Sequence, residues 1–174
     1  MLGAVATEAP GVVIDKQHNP RLEAMERVAK QNKGPILVWS RFTNDVDLLM
    51  GLGRDLGRKV CRYDGRTGDD EKLRSRRGFQ GGEFDWLAGN PKAGGRGVTL
   101  NAAENIVFYA NDYSLLTRLQ TEDRAEAPKE GKARGTGIID LIAQGTIDEE
   151  IVAAHRAKLE LAEIVVGDKK RFLT

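Results

Sequence analysis

A single cysteine, Cys61, rules out an internal disulfide, and no group of His and Cys has the spacing of a metal site. Cys61 sits in an apolar-alternating run, which fits a reducing compartment and a buried structural thiol. No apolar run reaches the length of a membrane span, and the N-terminal stretch lacks the basic start of a signal peptide. A soluble, intracellular, cytoplasmic protein is expected, with no membrane partner. Formal net charge is only +1, so no global field announces a nucleic-acid or membrane partner. The pattern G-x-x-x-x-G-K-[ST] of a phosphate loop occurs nowhere, and no early G-x-G-x-x-G opens a helix with an acidic residue about 20 positions on. The second absence disfavours a Rossmann-type small-molecule enzyme.

What is present suffices for one globular domain: 174 residues, 40% hydrophobic and 30% charged. The charge is uneven, with eleven Lys and Arg against seven Asp and Glu over residues 54–96. Residues 1–18 are small, polar and aperiodic, and read as a linker or an extra strand around Val12, Val13 and Ile14. The domain proper is expected over 19–166, with a short tail at 167–174.

Asn19 can cap a first helix, with Pro20 in its first turn and Leu22, Met25, Val28 and Ala29 on one face. Ile36-Leu37-Val38-Trp39 is a continuous apolar run, as in a strand buried on both faces of a parallel sheet. Asn44 opens a second helix that closes at Gly57, and 59–63 is a second strand. A charged helix over 69–79 has Leu73 and Phe79 as its apolar anchors, its arginines forming a solvated face. Strands follow at 84–88, 105–109 and 137–143. Ser114 caps a helix carrying Leu115, Leu116 and Leu119, and Thr146 with Glu149 forms a capping box for the last one. Its stripe contains Ile147, Ile151, His155 and Leu159, so His155 reads as a packed helix residue. Trp39 and Trp86 read as core. The alternation predicts a three-layer α/β domain with a mainly parallel central sheet flanked by helices.

Ligands of open α/β sheets sit beyond the carboxyl ends of the strands. Several polar clusters follow strands here: Ser40-Arg41, Asp64-Gly65-Arg66, 90–97 and Asn111-Asp112. In the third, Gly94, Gly95 and Gly97 follow Lys92, so the loop is either a tight turn or a surface where a phosphate or another backbone comes close. Asp69-Asp70-Glu71 and Asp148-Glu149-Glu150 stand at helix starts and complement the dipole, which is not a magnesium site.

Lys92-Ala93-Gly94-Gly95-Arg96-Gly97-Val98-Thr99-Leu100, followed by 102–109, resembles motif V of superfamily 2 helicases and translocases, closest to the Swi/Snf-type branch. Leu119-Gln120-Thr121-Glu122-Asp123-Arg124-Ala125 resembles motif VI, and Gly145-Thr146-Ile147-Asp148-Glu149 the lead into the final helix. Upstream, 36–42 is similar to motif IV and Tyr63-Asp64-Gly65-Arg66-Thr67 to the next block. Five blocks in order span nearly the whole chain from Pro20 to about Leu161.

The resemblance implies the second, C-terminal RecA-like lobe of a nucleic-acid-dependent ATPase motor. ATP with Mg2+ would be held mainly by a first, N-terminal RecA-like lobe, which carries the phosphate loop and the acidic box. By the same resemblance Arg124 would be an arginine finger on the γ-phosphate, positioned by Gln120 and Asp123, with Gly95 and Gly97 beside the nucleotide. Ser40, Arg41, Gly65, Arg66, Lys92, Ala93 and Gly94 would lie along a nucleic-acid backbone, DNA rather than RNA. A hydroxyl, a few cations and bare amides read phosphates and not bases, and these loops have few aromatics on which to stack bases.

The family's second motif VI arginine is replaced by Ala127, followed by Pro128. Either another arginine such as Arg134 substitutes, or turnover is slow, or the lobe is degenerate. Arg96 also departs from the apolar residue usual at its place, and no role follows for it. Two functions stand side by side: half of a motor, inactive without its first lobe, and a solitary binding module for nucleic acid or protein.

Overall fold

The computed structural model describes residues 19–93, 99–126 and 136–172, with side chains as far as residue 161. Five strands form one parallel sheet: β1 Ile36–Ser40, β2 Val60–Tyr63, β3 Trp86–Gly89, β4 Asn105–Ala110 and β5 Gly137–Asp140, in the order β2-β3-β1-β4-β5. Five helices accompany them: α1 Pro20–Gln31, α2 Thr43–Asp55, α3 Asp69–Gly81, α4 Leu115–Glu126 and α5 Ile147–Phe172. The expected α/β class with a parallel central sheet holds.

β1 lies at the middle of the sheet, and its apolar run is split by the two-residue period of a strand. Ile36 and Val38 pack with Met25 of α1, and with Val46 and Leu49 of α2. Leu37 and Trp39 pack on the other face with Phe79 of α3, Leu100, and Ala125 of α4. All four are fully buried, as is Trp86. Asn19 caps α1 by accepting from the Leu22 amide at 3.1 Å. The start of α5 is joined to α1 by the buried Arg21–Asp148 ion pair, Arg21 also donating to the Tyr109 carbonyl at 3.2 Å.

Several boundaries differ from expectation. α2 starts at Thr43 and not at Asn44, and Phe42 in the cap position supplies no side-chain bond. β3 starts at Trp86 because the residues before it finish α3: Gly82 closes that helix at φ 80°, and the Glu83 and Phe84 amides donate to the Gly78 carbonyl. Leu73 is not an anchor of α3. It is 38% exposed, and Ser75, Gly78 and Phe79 form the buried face. β5 stops at Asp140, since the Ala143 amide leaves the ladder to donate to the Asp148 carboxylate at 3.0 Å. Thr146 accepts from the Asp148 amide, so Asp148, and not Glu149, turns back at the start of α5. Of the α5 stripe, Ile151 and His155 are buried, whereas Ile147 and Leu159 stay 43% and 38% exposed.

Candidate functional site

Because every strand is parallel, the segments that leave β1 to β4 emerge on one edge of the sheet. Beyond β2, Asp64 is fully buried and makes a tight turn, accepting from the Arg66 amide at 2.8 Å and from the Thr67 hydroxyl at 3.3 Å. Gly65 has open space around it, so the turn's backbone is bare to solvent. Arg66 donates to Asp64 at 2.8 Å and forks onto Asp47 of α2 at 2.9 and 3.0 Å. Burial works against ionising Asp64, yet its bonds to Arg66 hold the carboxyl below the usual range. Asp47 is lowered too, chiefly by the Arg66 hydrogen bond.

Beyond β3 comes a single 3-10 turn, Pro91–Ala93. Asn90 builds it by accepting from the Lys92 amide at 2.9 Å, and its side-chain amide donates to the Arg41 carbonyl at 2.8 Å. The segments after β3 and β1 are thereby stitched together. Lys92 is 65% exposed and reaches Asp112 beyond β4 at 2.7 Å. Asp112 also accepts from the Ser114 amide at 3.0 Å, and Ser114 caps α4 by accepting from Thr117 at 3.2 Å. Burial opposes the Asp112 charge, but Lys92 and the Ser114 amide outweigh it and lower the pKa. Arg41 lies 4.6 Å from the Phe42 ring centre and 5.2 Å from that of Tyr113. The Ser40 side chain is turned inward: its hydroxyl donates to Asp45 at 2.5 Å and accepts from the Phe42 amide at 3.2 Å. Burial raises the Asp45 pKa against that bond.

Arg124 meets the Gly-rich loop at both of its described ends. Its guanidinium donates to the Pro91 carbonyl at 3.4 Å, and its own carbonyl accepts from the Leu100 amide at 2.8 Å. Partial burial lowers its pKa, and Tyr63 works in the other direction. An arginine stays charged even so. Gln120 and Asp123 are exposed on the same helix. Gly94, Gly95, Arg96 and Gly97 lie outside the described residues, as do Ala127, Pro128, Arg134 and the strand suggested around Val12 to Ile14.

The second arginine of α4 has a different task. Arg118 forks onto Asp140 at the end of β5 at 2.5 and 2.9 Å and donates to Glu122 at 2.7 Å and to Asn111 at 2.9 Å. It also lies 4.2 Å from the Phe108 ring centre. It is committed to holding α4 on the sheet. Sequence reasoning passed over Arg118 and Asp140, read Asp47 only as part of the start of a helix, and gave Asp112 no role; only Asp112, in a polar cluster after a strand, carried a signal. Among the described residues no three His, Cys, Asp or Glu side chains gather where they could hold a metal ion.

Residues 20–126, more than half of the chain, match the family model of the helicase conserved C-terminal domain. The chain belongs to this family. It is 30% identical over 166 residues to the chromatin-remodeling ATPase INO80 of Mycosarcoma maydis, covering 91% of this chain and 8% of that protein. It is 29% identical over 140 residues to the human SWI/SNF-related matrix-associated actin-dependent regulator of chromatin subfamily A member 1, covering 79% of this chain and 13% of that one. The helicase C-terminal domain thus spans about a tenth of the curated relatives it matches. Among solved structures, the C-terminal part of the Fun30 ATPase domain superposes with a TM-score of 0.71 at 23% identity, covering 82% of this chain and 48% of that one. That likeness supports the RecA-like fold.

Proposed function

We propose that this helicase C-terminal domain works as the second lobe of a nucleic-acid-dependent ATPase motor, a DNA translocase or helicase, and that it is inactive without a first lobe. The observation that carries this reading is the contact of Arg124 with both ends of the Gly-rich loop. A loop that feels a nucleic-acid backbone through Lys92, Ala93 and Gly94 is thereby in register with the guanidinium that would face ATP. Charge spreads over the phosphoryl oxygens in the transition state, and a planar guanidinium can donate to two of them. Gln120, four residues before Arg124 on the helix, and Asp123 beside it would hold the finger. Gly95 and Gly97 would pass close to the nucleotide. The first lobe would bring the phosphate loop and the residues for Mg2+.

Along the same edge, Arg41, Arg66, Lys92 and the bare backbone at Gly65 offer phosphate contacts without base readout. Ser40 would contribute through its backbone, its hydroxyl being engaged by Asp45. Duplex DNA is the favoured track, since the relatives are named for chromatin remodelling. Among the described residues no helix is long and apolar enough to cross a membrane. A module that binds without hydrolysis is the second reading, favoured by Ala127 at the place of the second arginine.

The deciding experiment is ATP turnover by the chain joined to a first lobe, with double-stranded DNA, single-stranded DNA and RNA compared. DNA-stimulated turnover by the joined protein and none by the 174-residue chain is the expected result. Robust hydrolysis by this chain alone overturns the half-motor reading, and a joined protein that binds DNA without turnover selects the binding module.

A further inference from the structure

Two cations that the proposed function assigns to phosphates already hold carboxylates. Arg66 presents its fork to Asp47, and Lys92 presents its ammonium to Asp112. The oxygens of Asp47 occupy the fork as two phosphodiester oxygens would, at 2.9 and 3.0 Å. Arg66 and Asp47 have side chains 45% and 49% exposed, so a phosphate can approach without unfolding anything.

Both exchanges leave the scaffold intact. Arg66 keeps its bonds to buried Asp64 when Asp47 lets go, so the guanidinium stays aimed at the edge. Asp112, once released by Lys92, still accepts from the Ser114 amide at the start of α4. Exposed ion pairs are individually weak, which makes replacement by a polyanion easy. Each carboxylate comes from a different element than its cation, so the pairing is a product of the assembled edge.

We propose that Asp47 and Asp112 are built-in competitors of the nucleic-acid backbone, each filling in the free lobe the cation site that a phosphate takes in the bound one. They set how tightly this lobe holds its track, lowering affinity so that contacts can be made and released as the motor steps. The inference rests on the reading of this edge as a nucleic-acid face, and its test separates the two.

The test is binding of a fluorescein-labelled, mixed-sequence DNA duplex to the 174-residue chain at low and moderate salt. Asp47→Asn and Asp112→Asn should each tighten binding by about two- to five-fold, the range expected from releasing one exposed pair. Glu104→Gln, an exposed carboxylate before β4 at the opposite edge, makes the same change of net charge and should do less. Arg62 also donates to Asp47, at 2.5 Å, so in a background carrying both Arg62→Ala and Arg66→Ala the Asp47→Asn change should have no more effect than the Glu104 control, and likewise Asp112→Asn in a Lys92→Ala background. If Arg66→Ala and Lys92→Ala weaken binding while the two Asn variants match the control, the competitor proposal fails and the nucleic-acid face survives. If neither cation matters, or no form of the chain holds the duplex, that face fails and the proposal with it.

Discussion

The guanidinium of Arg124 donates to the carbonyl of Pro91 at 3.4 Å, next in sequence to Lys92. The residue assigned to ATP and the residue assigned to nucleic acid are thus separated by one peptide unit and one hydrogen bond. Leu100, which follows the glycines, bonds to the backbone of the same arginine. A shift of Lys92 toward a phosphate would therefore be felt at Arg124 without crossing the core.

In the two-lobe protein, Arg124→Ala should lower DNA-stimulated turnover by roughly 10³-fold or more while ATP binding changes little, since the finger acts on transition-state charge. Steady-state turnover and nucleotide titration, done in parallel, check this. Activity within a few-fold of wild type would remove Arg124 from the chemistry.

Lys92→Ala should weaken DNA binding alike for all sequences and reduce the slope of log affinity against log salt by about 1. A change confined to one sequence would contradict a backbone contact. Thermal stability should hardly move, because the Lys92–Asp112 pair is exposed on the lysine side.

Arg118→Ala should do the opposite. It strips a half-buried fork from Asp140, leaves Asn111 and Glu122 short of a donor and removes packing over Phe108. A loss of about 2–4 kcal/mol is expected by analogy with broken buried pairs, measured by denaturant unfolding. Asp140→Asn should follow it in direction.

Acid should act in two stages. Burial, with the Arg118 charge nearby, lowers the His155 pKa, so the unfolded chain takes up that proton first. Stability should be full above the unfolded histidine value of about 6.5 and fall as pH drops through it. The lowered carboxyls of Asp47, Asp64, Asp112 and Asp140 contribute stability above about pH 3.9 that is lost as they take up protons below it. Unfolding free energy against pH, with His155→Leu removing the upper stage only, tests the assignment.

Cys61 is buried, and burial pushes its thiol up to about 12. Alkylation at neutral pH should be negligible in the native chain and complete after denaturation. Rapid native labelling would mean that the α3 face opens readily.

The parts of this structure legible in the sequence are those with a strong local signature. The apolar run of β1 could only be a strand buried on both faces, and Asn19-Pro20 marked the start of α1. Leu73 misled because α3 has few apolar residues, so a single leucine could not say which face meets the sheet. β5 was drawn too long because Leu141 to Ala143 are apolar enough for a strand, while the competing claim on the Ala143 amide comes from Asp148. At the site, the residues that follow strands were visible as polar clusters. Their pairings were not: Asp47 and Arg66 lie on successive elements, and whether they touch depends on how α2 leans over the end of β2. Arg118 and Asp140 come from two elements likewise, and nothing within either segment announces the other.

The seat of α4 has a consequence for the far strand. The Thr136 hydroxyl donates to the Ala125 carbonyl at 3.0 Å, and the Arg118–Asp140 fork joins the same helix to the end of β5. The helix that carries Arg124 is thus anchored to the outermost strand as well as to the Gly-rich loop, so a change at Asp140 reaches the residue assigned to ATP through the helix itself.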